Sequence, residues 1–214
     1  MAATIVVEEL NGAESPGPTA NEITSARFCT ADTHNPGLNY PIPIPDAGFN
    51  YSYWKNHRIK FTGSFTKISN IRWYCDGTIG WTLGTNGEVR VGVRDSGDNG
   101  CPDDNYQQAD GTQGTTGHPI EDATNGHAYY KNQTDKVKNV ENYTSSSPLT
   151  VDSTEYTSEG HSKHIVLQCK VASDASHGQQ SSEQLTWIWD EIVLLIGLGI
   201  GIAAKLLPIF SSVI

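Results

Sequence analysis

Positively charged side chains are scarce in this 214-residue sequence. Its 14 Lys and Arg residues stand against 24 Asp and Glu residues, which gives a formal net charge of -10. A surface that binds nucleic acid needs clustered basic residues to contact the phosphates, and the basic residues here are scattered along the chain. The composition therefore excludes nucleic acid from the expected partners.

Cysteine is also scarce, with four residues in the chain. Four cysteines are too few to hold a domain of this size together by disulfides, and no two of them have the close spacing of a zinc site. Cys75 and Cys169 are in phase with apolar residues of their segments, so we predict that both are buried. Two buried reduced thiols are the favoured state of this pair, and a disulfide is the alternative.

Sequence motifs of catalysis are absent. The chain contains no GxSxG, GxxxxGK, HExxH or CxxC pattern. We therefore predict no enzyme activity, no catalytic residue and no cofactor. Asp98, Asp103 and Asp104 could offer oxygen ligands to Ca²⁺, but they lack the order and the distal Glu of an EF-hand loop. They remain a weak calcium candidate, and no metal site is expected.

Strand and turn formers are abundant instead. Ile71, Trp73 and Cys75 alternate with polar or half-polar residues, and this two-residue period is typical of a half-buried sheet. Further strands are predicted through residues 4–10, 25–30, 59–61, 89–93, 165–171 and 185–189. Their spacing, with turn-rich intervals, predicts an all-β antiparallel sandwich or jelly roll over residues 1–191. The first ten residues are expected to be a strand rather than a signal peptide.

Between residues 95 and 126 almost no side chain is apolar, and the segment is rich in Gly, Asp, Asn and Thr. Such a segment cannot bury a core of its own. We therefore predict a long exposed insertion in the β-domain at about 95–126.

After Glu191 the sequence becomes almost wholly apolar as far as Ala204, and Lys205 and Pro208 follow. Residues 192–214 are predicted to be a hydrophobic anchor, with a helix from about Ile192 to Leu207 that ends at Pro208. Gly197 and Gly201 are four residues apart, which in a helix would allow a second helix to approach closely. The candidate assembly or anchor residues are Ile192, Leu195, Gly197, Gly201, Leu206, Pro208 and Phe210.

Several stretches of the sequence resemble a family of small, largely uncharacterised structural proteins of tailed phages and related proviruses. The resemblance covers about residues 1–192 and lies in residues 51–55, 61–77, 147–152, 165–168, 171–173 and 182–192. It implies a virion-associated β-sandwich without an established activity. The apolar tail and the acidic insertion depart from the pattern of that family.

These observations predict a non-enzymatic structural subunit of a virion, as a capsid, capsid-decoration or tail component, or of a similar filament. Its β-domain would face outward, and its C-terminal helix would be buried among copies of itself or other subunits. The alternative is a tail-anchored membrane protein that displays a ligand- or carbohydrate-binding sandwich at the surface, with the C-terminal segment in lipid. The sequence is compatible with three environments for the C-terminal segment: burial between subunits, burial in a bilayer, or burial against its own domain.

Overall fold

A computed structural model describes residues 2–93, 106–195 and 199–213. Fifteen strands and two single-turn 3-10 helices are found within these residues. The strands are β1 (Thr4–Asn11), β2 (Thr19–Ile23), β3 (Ser25–Phe28), β4 (Phe49–Tyr51), β5 (Lys55–Thr62), β6 (Lys67–Cys75), β7 (Glu88–Gly92), β8 (Gly111–Thr112), β9 (Thr116–Gly117), β10 (Val137–Asn139), β11 (Leu149–Asp152), β12 (Gly160–His161), β13 (Ile165–Ala172), β14 (Glu183–Leu195) and β15 (Gly199–Val213). The 3-10 helices are Thr134–Lys136 and Val140–Asn142.

Most strands belong to two sheets. The eight-stranded sheet has the order β10-β7-β13-β5-β1-β2, with β12 paired to β5 and β4 paired to β13. The five-stranded sheet has the order β11-β6-β14-β15-β3, and β8 and β9 form a small separate ladder. The strand pairs are antiparallel except for β15 and β3, which are parallel. The prediction of an all-β protein with antiparallel sheets is therefore confirmed.

One main hydrophobic cluster receives side chains from both large sheets. Ile59 and Phe61 of β5 and Leu167 of β13 meet Trp73 of β6 and Trp187 of β14 there. These positions follow the alternation in the sequence, because successive residues of a strand point to opposite faces. Full burial of a large apolar side chain stabilises a fold by about 1.5–3 kcal/mol, so this cluster is the main source of stability. The strands predicted through Ile59, Ile71, Val89, Ile165 and Leu185 are confirmed.

The predicted C-terminal helix is not observed. β14 continues past Glu191 to Leu195, and β15 occupies residues 199–213. Two features of the sequence explain the correction: Ile and Val prefer strands, and glycine destabilises a helix interior by about 1 kcal/mol relative to alanine. The glycines at 197, 199 and 201 also recur every second residue, which is the period of a strand and not of a helix.

Candidate functional sites

The apolar C-terminal segment contributes to a long β-hairpin. β14 and β15 pair from Glu183 opposite Ser211 to Leu195 opposite Gly199. On its other side β14 pairs with β6 as far as Ile192, and β15 pairs with β3 only over residues 210–213. Among the described residues, 193–195 and 199–209 therefore have a neighbouring strand on one side only.

The predicted assembly residues are distributed over both strands of this hairpin. β14 holds Ile192 and Leu195, and β15 holds Gly201, Leu206, Pro208 and Phe210, whereas Gly197 lies outside the described residues. Gly201 lies opposite Val193 in the ladder, so the expected helix contact through Gly197 and Gly201 is corrected together with the helix. In the part of the chain that the structure describes, no helix has the length and apolar character needed to cross a membrane.

Pro208 has a different role from the one the sequence predicted. It lies inside β15, opposite Thr186, and does not end a helix. Proline lacks a backbone N–H and is therefore confined to edge strands, strand starts and bulges. The pairing of β15 with β3 begins two residues later, at Phe210. Within the described part of the chain, residues 199–207 are therefore the stretch of β15 that has an unpaired edge and a full set of backbone donors.

The predicted insertion is buried in part. Val166 of β13 packs with Trp54, Ile120 and Tyr130 in a second hydrophobic cluster, separate from the main one. Ile165 and Leu167 belong to the main cluster, so Val166 points to the opposite face of the eight-stranded sheet. Residues 106–130 cover that face, and the expectation of a wholly exposed excursion is corrected for the described residues. Residues 95–105 lie outside them.

Gln168 holds this covering segment on the sheet. Its side-chain amide donates to the carbonyl oxygens of Ser52 at 2.8 Å and His118 at 2.7 Å. Its carbonyl oxygen accepts from Arg90 Nη2 at 2.6 Å and from the Ile120 backbone N–H at 3.1 Å. All four hydrogen-bonding positions of the amide are therefore occupied, and Gln168 is fully buried.

His127 lies in the same covering segment and is also fully buried. Its ring packs edge-on against Trp54, with ring centroids 5.8 Å apart, and in a tilted arrangement against Tyr130, with centroids 5.1 Å apart. Burial, together with the charge of His164, lowers the pKa of His127 from its ordinary 6.5 to about 3. The imidazole is therefore neutral at physiological pH, and its Nδ1 accepts from the Tyr129 N–H at 3.2 Å.

A buried ionic network extends one end of the main cluster. Val7 and Ile59 belong to that cluster, and Glu9, His57 and Lys55 follow them at two-residue steps along β1 and β5. Lys55 Nζ lies 2.8 Å from Glu9 Oε1, and His57 Nε2 lies 3.2 Å from Glu9 Oε2. All three side chains are at most 2% exposed.

The charge state of the network follows from these contacts. Burial alone would raise the pKa of Glu9, but the Lys55 ammonium and the bonds to Lys55 and His57 outweigh it and hold that pKa at about 2. The Glu9 charge likewise raises the pKa of Lys55 against the opposing effect of burial. Glu9 and Lys55 therefore form a charged pair at neutral pH.

A polar groove of about 820 Å³ lies beside the network. Asp32 connects the two, because its Oδ1 accepts from Asn11 Nδ2 at 3.0 Å, its Oδ2 accepts from Gln108 Nε2 at 2.7 Å, and Asp32 and Gln108 both line the groove. Tyr53 and Asp110 are also part of its wall. The groove offers mainly hydrogen-bonding groups.

The other predicted positions are placed as follows. Cys75 and Cys169 are buried in the main cluster as free thiols, so their predicted burial is confirmed. Asp98, Asp103 and Asp104, the weak calcium candidates, lie outside the described residues. Within the described residues, no group of three or more His, Cys, Asp or Glu side chains is arranged to hold a metal ion. All five tryptophans are buried, so none of them offers an exposed platform for a sugar.

The sequence interpretation missed the ionic network, although a signal for it exists. Lys55 and His57 are in phase with Ile59 and Phe61, and Glu9 is in phase with Ile5 and Val7, so the alternation alone places three ionisable groups on a core face. For Gln168 no such signal exists. A polar residue that alternates with apolar ones is ordinarily expected on the solvent-exposed face of a sheet. Comparisons with family models, curated proteins and solved structures find no match to this chain.

Proposed function

We propose that this chain is a non-enzymatic structural subunit of a virion or a similar filamentous assembly, built on a β-sandwich and joined to a second copy of itself through the C-terminal hairpin. The single observation that carries the proposal is the one-sided pairing of β15 over residues 199–209. The resemblance to phage structural proteins supports the virion as the setting.

An open strand edge is a ready template for another strand, because its backbone N–H and C=O groups have no partner on that side. Proteins that must stay monomeric protect such edges with charges, bulges or short strands. In residues 199–207 the only charged residue is Lys205, and the rest are Gly, Ala, Ile and Leu. This composition suits a buried interface strand.

A second copy of the chain is the simplest occupant of this edge. Two identical open strands can pair antiparallel about a two-fold axis, in which each strand supplies the same contacts to the other. Main-chain hydrogen bonds then provide the affinity, and the apolar side chains add buried area. Such pairing joins subunits without a ligand or a catalytic step, and longer assemblies need further contacts with other subunits.

The test shortens the hairpin without disturbing the sheet. Ile192 and Ile202 lie directly opposite each other, so residues 193–201 can be replaced by Asn-Gly, a pair that favours a two-residue hairpin turn. All pairing of β14 with β6 and of β15 with β3 is kept. A matched surface control is Leu38→Lys, since Leu38 is 70% exposed and remote in sequence from the hairpin.

Sedimentation velocity over a range of concentrations, together with negative-stain microscopy, measures the outcome. The wild-type chain and Leu38→Lys are expected to associate, and the shortened hairpin, which keeps only residues 202–207 of the open edge, is expected to associate more weakly. A wild-type chain that remains monomeric, or a shortened hairpin that assembles normally, would contradict the proposal. Flotation of the wild-type chain with phospholipid vesicles, lost in the shortened variant, would support membrane anchoring instead.

A further inference from the structure

An amine, a carboxamide and a carboxylate meet in the buried network at the end of β1 and β5. Lys55 Nζ donates to Glu9 Oε1 at 2.8 Å, and Asn11 Nδ2 donates to the same oxygen at 3.1 Å. Glu9 and Lys55 are at most 1% exposed, and Asn11 is 7% exposed. A single carboxylate oxygen therefore touches both the amine and the carboxamide in a site that is nearly free of solvent.

The sheet itself holds these groups together. β1 and β5 are antiparallel, with Leu10 opposite Asn56, and one further step of the same register places Asn11 opposite Lys55. Side chains directly opposite each other in such a pair have Cβ atoms about 4.5–5.5 Å apart. Glu9 lies two residues before Asn11 and so shares its face of the strand.

The orientation of the Asn11 amide is fixed by its neighbours. Nδ2 donates both to Glu9 Oε1 and to Asp32 Oδ1, at 3.1 and 3.0 Å, and two carboxylates require the N–H side of the amide to face them. The opposite atom, Asn11 Oδ1, is buried and has no hydrogen-bond partner among the described residues. A buried acceptor without a donor is costly, so the native interactions of this amide are incomplete.

We propose that Lys55 and Asn11 form an intramolecular isopeptide bond, with Glu9 as the proton carrier. Glu9 takes one proton from the Lys55 ammonium, and the neutral Nζ attacks Asn11 Cγ. A bond forms between Nζ and Cγ, and the bond between Cγ and Nδ2 breaks. A second proton from Nζ passes to the leaving nitrogen by way of Glu9, and the first stays on Glu9. The lysine ammonium, the Glu9 carboxylate and the asparagine amide thus become one secondary amide, one carboxylic acid and one ammonia molecule.

The surroundings favour this reaction in two ways. Reacting groups that are held side by side avoid the entropy cost of meeting, which is a large part of the barrier to amide exchange in water. The reaction also removes a buried pair of opposite charges, because Lys55 becomes a neutral amide and Glu9 is left as a carboxylic acid, 3.2 Å from His57 Nε2.

Peptide mapping by tandem mass spectrometry of the purified full-length chain tests the bond. Trypsin cannot cut at an acylated lysine, so a peptide of residues 1–27 should be found joined to a peptide of residues 28–58, with the mass of one ammonia molecule missing. Intact mass alone does not decide, because Asn11 precedes Gly12, and an asparagine before glycine can also lose ammonia by closing onto its own chain. Only the joined peptides identify the cross-link.

Three variants and one control distinguish the isopeptide bond from ring closure at Asn11. Lys55→Met and Asn11→Ala should each abolish the joined peptides, and Lys55→Met should still permit ring closure at Asn11. Glu9→Gln keeps both reacting groups and should also yield no cross-link. Asn56→Ala changes a buried neighbour on the opposite face of β5 and should leave the cross-link in place. Separate peptides 1–27 and 28–55 from the folded wild-type chain, after prolonged incubation, would overturn the proposal whatever the variants do.

Discussion

Gln168→Met should destabilise the fold by about 4 kcal/mol. Methionine has nearly the same shape and volume as glutamine, so the packing around the site is largely kept. The substitution removes four hydrogen bonds at once, two donated to the carbonyls of Ser52 and His118 and two accepted from Arg90 and Ile120. Each bond contributes about 0.5–1.5 kcal/mol net, and a central value of 1 gives the expected total.

The loss in the free energy of unfolding depends on what happens to the groups that lose their hydrogen bonds to Gln168. If the covering segment of residues 106–130 stays in place, the carbonyls and the Ile120 N–H remain buried without partners, at a cost of about 1–3 kcal/mol each. If the segment lifts instead, water satisfies them, but the second cluster around Trp54 and Tyr130 is exposed. Both routes lower the free energy of unfolding, and the second also increases hydrogen exchange in residues 106–130.

Urea unfolding followed by tryptophan fluorescence measures the effect, since all five tryptophans are buried in the native state. Lys170→Met is the matched control on the same strand, because Lys170 is only half-buried and its ion pair with Glu88 is long, at 3.9 Å. An ion pair of this kind contributes about 1 kcal/mol or less. A Gln168→Met protein no less stable than the Lys170→Met control would refute the role assigned to Gln168.

Three further predictions concern buried polar groups. Asp152→Asn should cost about 2 kcal/mol in urea unfolding, because Asp152 accepts from the Thr154 N–H, the Tyr156 hydroxyl and the Lys163 N–H, and an amide nitrogen cannot accept. Burial raises the pKa of Cys75 to about 12 and raises that of Cys169 as well, so neither should react with iodoacetamide until urea unfolds the chain, as read by peptide mapping. His127 has a lower pKa folded than unfolded, so its contribution to stability is complete above pH 6.5 and is lost as the pH falls towards 3, by up to about 4 kcal/mol. His127→Phe should remove that part of the acid sensitivity in urea midpoints measured from pH 7 to 4.

The central strands could be predicted because their sequence obeys a single rule. Ile71, Trp73 and Cys75 alternate with less apolar residues, and a half-buried sheet requires this pattern. The same rule located β13 and the start of β14. It could not locate β2, β4 or β11, since these strands are short, and β4 and β11 also depend on pairing partners distant in sequence.

The C-terminal error has a different cause. A continuous apolar run is compatible with a buried helix or a buried strand, and periodicity cannot separate them when nearly every residue is apolar. Pairing with β14 from Leu195 back to Glu183 decides the outcome, and that partner is visible only in the fold. The glycines at 197, 199 and 201 were the local signal that favoured a strand.

The covering segment explains why polar residues lie buried on the second face of the eight-stranded sheet. A segment rich in Gly, Asn and Thr offers little apolar surface, so it cannot be held by hydrophobic contact alone. It can be held if the sheet presents side chains that satisfy its backbone. Gln168 does so at His118 and Ile120, and Trp54 Nε1 and Asn56 Nδ2 both donate to the Gln107 carbonyl, at 3.0 and 3.3 Å. The covering segment and the second face of the eight-stranded sheet thus bury each other through hydrogen bonds. The amino-acid composition of neither one predicts this burial by itself.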